Sequence, residues 1–161
     1  SPATSKVNVT RVTSAQEMYQ ACIARFAQMD IAVLAAAVAD YRPVHTADQK
    51  IKKTSDHLVI ELTKTHDIAA ELGKQKKPQQ LMVGFALETE NEKANAQKKI
   101  VAKNFDLIVL NSLNSPGAGF GHDTNQVVII NKNGQEQNFN LKSKKEVAKD
   151  IVNAIVEALP N

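Results

Sequence analysis

Lys50, Lys52 and Lys53 close a polar loop that begins at Ala39-Asp40 and also holds Arg42 and Asp48. The loop follows an uncharged run from Ile31 to Val38. A buried strand that ends in an acid and then a lysine-rich loop is how an open α/β sheet presents a ligand crevice. Lys64-Thr-His-Asp-Ile68 leads into a helical pattern, and the free N–H groups at such a helix start suit an anion. Lys99 and Lys103 stand four apart and so share one helix face. Together these groups sketch a site for a polyanion of nucleotide or phosphate type. Each also has a plain structural reading, the lysines as solvated faces and Asp40 as a turn residue.

Other chemistries are poorly served. Gly117-Ala-Gly-Phe-Gly121 is followed by Asp123-Thr-Asn and a strand pattern where a dinucleotide fingerprint needs a helix, and its spacing is wrong. No Gly-x-x-x-x-Gly-Lys-Ser/Thr loop exists. His45, His57, His66 and His122 are scattered, without a cysteine partner, which argues against zinc. The only cysteine, Cys22, shares a helix face with Met18 and Phe26 and reads as core rather than nucleophile.

The elements that must position these groups are those of one layered domain. At 161 residues, 43% hydrophobic and 23% charged, the chain can bury a substantial core. Aromatics at 4% and a formal charge of +3 argue against single-stranded nucleic acid and DNA as partners. One cysteine, no signal peptide and no apolar run near 18 residues fit a cytoplasmic protein without a membrane span.

Periodicity predicts strands at Val7–Val12, Ile31–Val38, Leu58–Thr63, Leu81–Leu87 and Asp106–Leu110. The run 31–38 lacks alternation, as expected when both faces are covered. Helices are predicted from the capping box Ser14-Ala-Gln-Glu17 to about Ala27, from Ile68 to near Lys77-Pro78, and from the charged stretch after Glu88 to Lys103. A loop, Ser112 to Thr124, precedes a hairpin, Gln126–Ile130 and Gln135–Leu141, turned by Asn133-Gly134. A second capping box, Ser143 to Glu146, opens a last helix with Val147, Ile151, Ala154, Ile155 and Ala158 as its buried stripe. Strand and helix alternate, so the expected fold class is α/β, Rossmann-like, with a mostly parallel sheet plus a C-terminal β-hairpin and helix.

The motifs go further than the pattern. AAVADYRP followed by KIKK, then KTHDI, GFALET, the Lys99/Lys103 pair before a DLIV strand, and NSLNSPGAGFGHDTN resemble phosphopantothenoylcysteine synthetase, the ligase of coenzyme A biosynthesis. The match runs in consistent order from about Val7 to the C-terminus. The resemblance implies phosphopantothenate–cysteine ligation in two steps, with CTP as co-substrate and Mg²⁺ as metal. The carboxylate of 4′-phosphopantothenate attacks the α-phosphate and pyrophosphate leaves. The amine of L-cysteine then displaces CMP from the acyl cytidylate.

Carried onto this sequence, the resemblance implies that Asp40 and the backbone of Ala35, Ala36 and Ala37 recognise the nucleotide and hold the reacting acyl group, with Ala37 also touching substrate. It makes Lys50 the catalytic cation. His66, Asp67, Ile68 and Ala69 would receive phosphate or ribose, Phe85 would pack on the nucleotide, and Lys99 and Lys103 would hold the triphosphate. It assigns no metal ligands. It further implies a mobile lysine-rich loop, a homodimer built through GFALE and the hairpin, and, in bacteria, fusion to a flavin-dependent decarboxylase. Relatives carry an upstream unit with an Asn-His-Ser-Ser-Gly-Lys-like motif. Residues 1–161 are therefore expected to form a single ligase domain truncated at its N-terminus, weak or inactive alone. A non-catalytic nucleotide-binding or dimerisation module, and a nicotinamide-dependent α/β oxidoreductase, are the alternatives.

Overall fold

In the computed structural model, which describes residues 6–52, 56–88, 91–112 and 123–159, the apolar runs that begin at Leu81 and Leu107 lie side by side in the middle of a sheet. Along the chain the elements are α1 (Ala15–Phe26), β1 (Ile31–Leu34), β2 (Tyr41–Pro43), β3 (Leu62–Lys64), α2 (Ile68–Gln75), β4 (Leu81–Glu88), α3 (Glu92–Lys103), β5 (Leu107–Ser112), β6 (Thr124–Asn125), β7 (Val127–Asn131), β8 (Glu136–Asn138), β9 (Lys142–Ser143) and α4 (Lys144–Glu157). The main sheet has the order β1-β4-β5-β7-β8. Its first three strands are parallel, and β7 and β8 complete it as an antiparallel hairpin. This is the expected α/β class.

Alternation along β4 and β5 splits the core into two layers. Met82, Ala86, Ile108 and Leu110 face Phe26, Leu72 and Ile100 of the helices α1, α2 and α3. Leu81, Val83, Leu107 and Val109 face Val147, Ile151, Ala154 and Ile155 of α4. Met82, Val83, Ile108 and Val109 have no exposed surface, which is why both strands read as continuous apolar runs.

The helix starts follow their sequence signals. Ser143 and Glu146 form the reciprocal capping box at α4. At α1, Ser14 accepts from the Glu17 N–H as expected, but the Glu17 carboxylate turns back one residue further, to the Thr13 N–H at 2.7 Å. Asp67 caps α2, accepting from the Ala70 N–H at 3.0 Å. Its carboxylate also meets Lys103 Nζ at 3.0 Å. In the hairpin turn, Gly134 takes φ +81°, and Asn131 Oδ1 accepts from the Asn133 and Gln135 N–H groups.

Two glycines permit close approach. An added Cβ at Gly84 would stand 2.5 Å from the buried Phe105 ring, so that ring packs on β4 only where a side chain is missing. One at Gly73 would stand 2.2 Å from the Lys103 carbonyl oxygen, so α2 crosses the end of α3 only because residue 73 lacks a side chain. Asn104, left-handed at φ 53°, ends α3 there and donates through Nδ2 to Gly73 O at 3.0 Å.

Several sequence expectations are corrected. Val7–Val12 forms no strand. Its alternation finds no partner among the described residues, and Val7 and Val9 are exposed. The strand predicted over 31–38 ends at Leu34, and its faces are unequal. As the edge of the sheet, β1 leaves Ile31 37% and Val33 49% exposed. Leu58–Thr63 contributes only β3, which joins a separate two-stranded ladder with β2. Leu58, Val59 and Ile60 project into solvent, Val59 at 90%, because nothing among the described residues covers that face. Ala158, expected in the buried stripe of α4, is instead its exposed C-cap, one turn beyond the buried Ala154 and Ile155. The glycine-rich run 117–121 and His122 lie outside the described residues.

At the opposite end of the strands from α2's first turn, Asp106 Oδ2 accepts from Lys76 Nζ at 2.6 Å and from the Met82 N–H at 2.8 Å. Their side chains are only 13% and 8% exposed for Asp106 and Lys76 respectively. Truncating one partner of such a pair leaves a buried charge uncompensated. Lys76→Ala is expected to lower unfolding free energy by about 3 to 5 kcal/mol in urea titrations.

The Asp67 cap carries a pH signature. Burial pushes its carboxyl up, but the Ala70 N–H, Lys103 and the Ala69 N–H outweigh that and hold it below the ordinary aspartate range. A depressed acid stabilises the fold above its unfolded pKa and loses that contribution as pH falls through the folded value. Asp67→Ala should cost about 1 kcal/mol near neutrality. The gap from wild type should narrow in unfolding titrations below pH 3.8.

Candidate functional site

The polar groups singled out in the sequence come together through a short ladder. Tyr41 pairs with Lys64, Arg42 with Thr63 and Pro43 with Leu62, so the residues just outside the ladder, Asp40 and Thr65, face each other. The Thr65 N–H donates to Asp40 O at 2.9 Å, and Thr65 Oγ1 donates to Ala39 O at 2.6 Å. These bonds stitch the AAVAD segment to the KTHDI segment across 26 residues of chain. They also set His66 and Asp67 beside the carboxyl end of β1.

A cavity of about 430 Å³ opens there. Ala35, Ala36 and Asp40 form the wall that follows β1. Opposite stand His66, the N-cap Asp67, and Ile68 and Ala69 of the first turn of α2. Phe85 of β4 and Lys99 and Lys103 of α3 complete the crevice. Two of the residues implied by resemblance stand apart. Ala37 does not line the cavity, and Lys50 is exposed on the loop after β2, also outside the lining.

The electrostatics differ from the sequence picture of free cations around an anion seat. The α2 N-terminus is filled by its own Asp67, whose carboxylate takes the Ala70 N–H. Lys103 pairs with that same carboxylate, and Lys99 Nζ meets Glu88 Oε1 at 2.6 Å. Both lysines are thus neutralised where they border the cavity. Each ammonium nevertheless keeps further N–H donors beyond the one its carboxylate takes.

Several lining residues escaped sequence reasoning. Met18 and Cys22 of α1 reach the cavity from the helix face that reads as core, and they serve both purposes. Burial pushes the Cys22 thiol up, with Arg25 pulling less strongly the other way, so no thiolate nucleophile is made. Tyr19 stacks on His66 with ring centroids 4.4 Å apart and planes 16° from parallel, which steadies the imidazole at the cavity wall. No spacing signal links residues 19 and 66.

A second cavity, about 510 Å³, lies at the other end of the sheet beside the hairpin turn and the end of α4. Its polar groups are largely engaged with one another, Asp106 with Lys132 and Asn131 with Gln135. Among the described residues no group of three or more His, Cys, Asp or Glu side chains is placed to hold a metal ion. No helix among them is long and apolar enough to cross a membrane.

Comparison with known proteins meets this geometry. The family model for the DNA/pantothenate metabolism flavoprotein C-terminal domain matches residues 1–159. The chain is 55% identical over 155 residues to a protein named cysteine/cysteine sulfinic acid decarboxylase from an unknown prokaryotic organism, covering 96% of this chain and 43% of that one. It is 43% identical over 144 residues to the coenzyme A biosynthesis bifunctional protein CoaBC of Bacillus subtilis, covering 89% of this chain and 35% of that one. The chain therefore spans less than half the length of these curated relatives. The crystal structure of the C-terminal domain of a CoaBC superposes with a TM-score of 0.73 at 38% identity, covering 91% of this chain and 63% of that one. With a family model matched from residue 1 to 159, and a fold shared with the CoaBC C-terminal domain, this chain belongs to the DNA/pantothenate metabolism flavoprotein C-terminal domain family.

Proposed function

We propose that this chain is the nucleotide-binding, acyl-activating part of a CTP-dependent phosphopantothenate–cysteine ligase. The observation that carries the reading is the single cavity in which Asp40, the first turn of α2, Phe85, Lys99 and Lys103 converge from separate motifs. The CoaBC relatives, named for coenzyme A biosynthesis, support the same pathway. Because the chain covers only part of those proteins, the decarboxylase name of the 55% identical relative is assigned here to the portion this chain does not span.

In this reading the carboxylate of 4′-phosphopantothenate forms a bond to the α-phosphorus of CTP, and the bond to the β-phosphate oxygen breaks. The amine of L-cysteine then adds to the acyl carbon, and CMP leaves as the amide forms with loss of the amine proton. A carboxylate is a weak nucleophile, so the barrier falls through alignment and charge neutralisation more than through a strong base. Lys99 and Lys103 supply cationic donors for the phosphate chain. Asp40 and the Ala35–Ala36 backbone border the space for the nucleoside and acyl groups, with Phe85 packing beside them. Lys50 acts on the α-phosphate from the loop after β2, and since it does not line the cavity in this structure, that role requires the loop to bring it inward.

Mg²⁺ enters as the companion of the nucleotide. The described residues build no cage for it, and a magnesium ion bound through substrate phosphates and waters needs at most one or two protein carboxylates. Asp40 and Asp67 are the cavity carboxylates available. When bound, the metal would neutralise phosphate charge. The proposal includes a homodimer and a single ligase domain over residues 1–161.

Calorimetry of the intact protein against CTP, ATP, NAD and NADP tests the class. Tightest binding of CTP is expected. An ATP preference would overturn the choice of nucleotide, and selective binding of NAD or NADP would overturn the ligase reading. In the intact protein, Lys50→Gln is expected to reduce phosphopantothenate-dependent pyrophosphate release by at least about a hundredfold, the scale seen when one transition-state stabiliser is lost. Its melting temperature should stay at the wild-type value. Pyrophosphate release at the wild-type rate would remove Lys50 from the mechanism.

A further inference from the structure

Glu88 lies at the end of β4 and is absent from the cavity lining, yet it holds a residue that is part of that lining. Its Oε1 accepts from Lys99 Nζ at 2.6 Å, and its Oε2 accepts from Asn95 Nδ2 at 3.3 Å. The carboxylate side chain is 14% exposed and the lysine 41%. Lys99 therefore borders the cavity with its counter-ion set behind it, on the protein side. We propose that Glu88 is a built-in counter-ion that lowers the affinity of the crevice for polyphosphate by neutralising Lys99. This rests on the reading of the crevice as a nucleotide site and adds to it a residue that sets how tightly the phosphate chain is held.

The second lysine shows the same arrangement. Lys103 meets Asp67 at 3.0 Å, so these two lysines and their two carboxylates cancel in charge beside the cavity. A phosphate chain that approaches Lys99 is attracted by the ammonium and opposed by the carboxylate behind it, with Coulomb energies that partly cancel. The consequence is moderate retention. A crevice with two bare ammonium groups would hold a polyphosphate product as firmly as the substrate, and release limits many turnovers. Asp67 also caps α2, so changing it confounds charge with helix stability. Among the described residues Glu88 accepts from no backbone N–H of a helix start, and its other contact, from the Asn95 side chain, is long at 3.3 Å, so it is the cleaner probe.

Glu88→Gln keeps an oxygen acceptor for Lys99 and removes the charge, giving up only the long 3.3 Å acceptance from Asn95 Nδ2. The intact protein is titrated with inorganic tripolyphosphate by calorimetry at fixed ionic strength, as wild type, Glu88→Gln, Lys99→Met and the double variant. Glu88→Gln is expected to tighten binding roughly threefold to fivefold, the range of a partly exposed ion pair. In the Lys99→Met background the same change should alter affinity by less than about twofold, as expected when the effect acts through that contact. Melting temperatures should agree between wild type and Glu88→Gln. Weaker or unchanged binding in Glu88→Gln, no binding to either protein, or a gain that survives without Lys99 would each overturn the proposal.

A parallel titration with CTP separates this from the nucleotide reading. If tripolyphosphate responds as stated but CTP binds no tighter than tripolyphosphate, the nucleotide assignment falls and the counter-ion stands. If CTP binds selectively and Glu88→Gln leaves both affinities at wild-type values, the counter-ion assignment falls alone.

Discussion

The carboxylate of Asp106 is the junction on which the sheet and its helices depend. It sits immediately before β5 and accepts from Lys76 at the end of α2 and from the N–H of Met82 at the start of β4. Lys132, just past β7, approaches its other oxygen at 3.4 Å. Lys76 also donates to Asn104 O at 3.0 Å, beside the end of α3. One acid therefore ties together the starting ends of β4 and β5 and the ends of α2 and α3. Burying such a group is costly unless it is paired and hydrogen-bonded, and here both oxygens have partners.

That junction determines where the crevice lies. With α2 and α3 held at the base of the sheet, their cavity-facing residues are carried toward the carboxyl end of β1, where open parallel sheets bind ligands. Gln80 secures the other side. Buried at 5% exposure, it donates to Phe26 O and Met29 O and accepts from the Lys77 N–H, which locks the end of α1 against the turn before β4. The β2–β3 ladder then delivers Asp40 and Thr65 to the crevice mouth. The site is thus the product of two local devices, a buried polar junction and a three-pair ladder, acting at opposite ends of the strands.

Each lysine of the crevice is paired with a carboxylate, and this changes how the two should be regarded. A charge pair at partial exposure contributes little to stability, so the Glu88–Lys99 and Asp67–Lys103 contacts matter chiefly for the charge that the crevice presents. Tyr19 against His66 plays a comparable part for geometry, holding a ring at the wall without any charge.

Much of this was legible in the residues. The grouping of Asp40, residues 66–69, Phe85 and the Lys99/Lys103 pair was implied by the family resemblance, whereas the α/β class, the continuous runs of β4 and β5, the capping boxes and the Asn-Gly hairpin follow from short-range pattern. These are local properties, decided within a few residues of chain. What failed was pairing. Val7–Val12 and Leu58–Ile60 have strand-like composition, but a strand exists only where a neighbour completes its hydrogen bonds, and alternation cannot say whether one is present. The tertiary structure alone decided that Lys99 faces Glu88 and Lys103 faces Asp67, that Asp67 fills the helix seat, that Cys22 and Met18 reach the cavity, and that Lys50 and Ala37 do not line it. The motifs determined which residues carry charge near the site. Their partners lie 11 to 36 residues away along the chain, and only the packing of helices on the sheet brings those charges together.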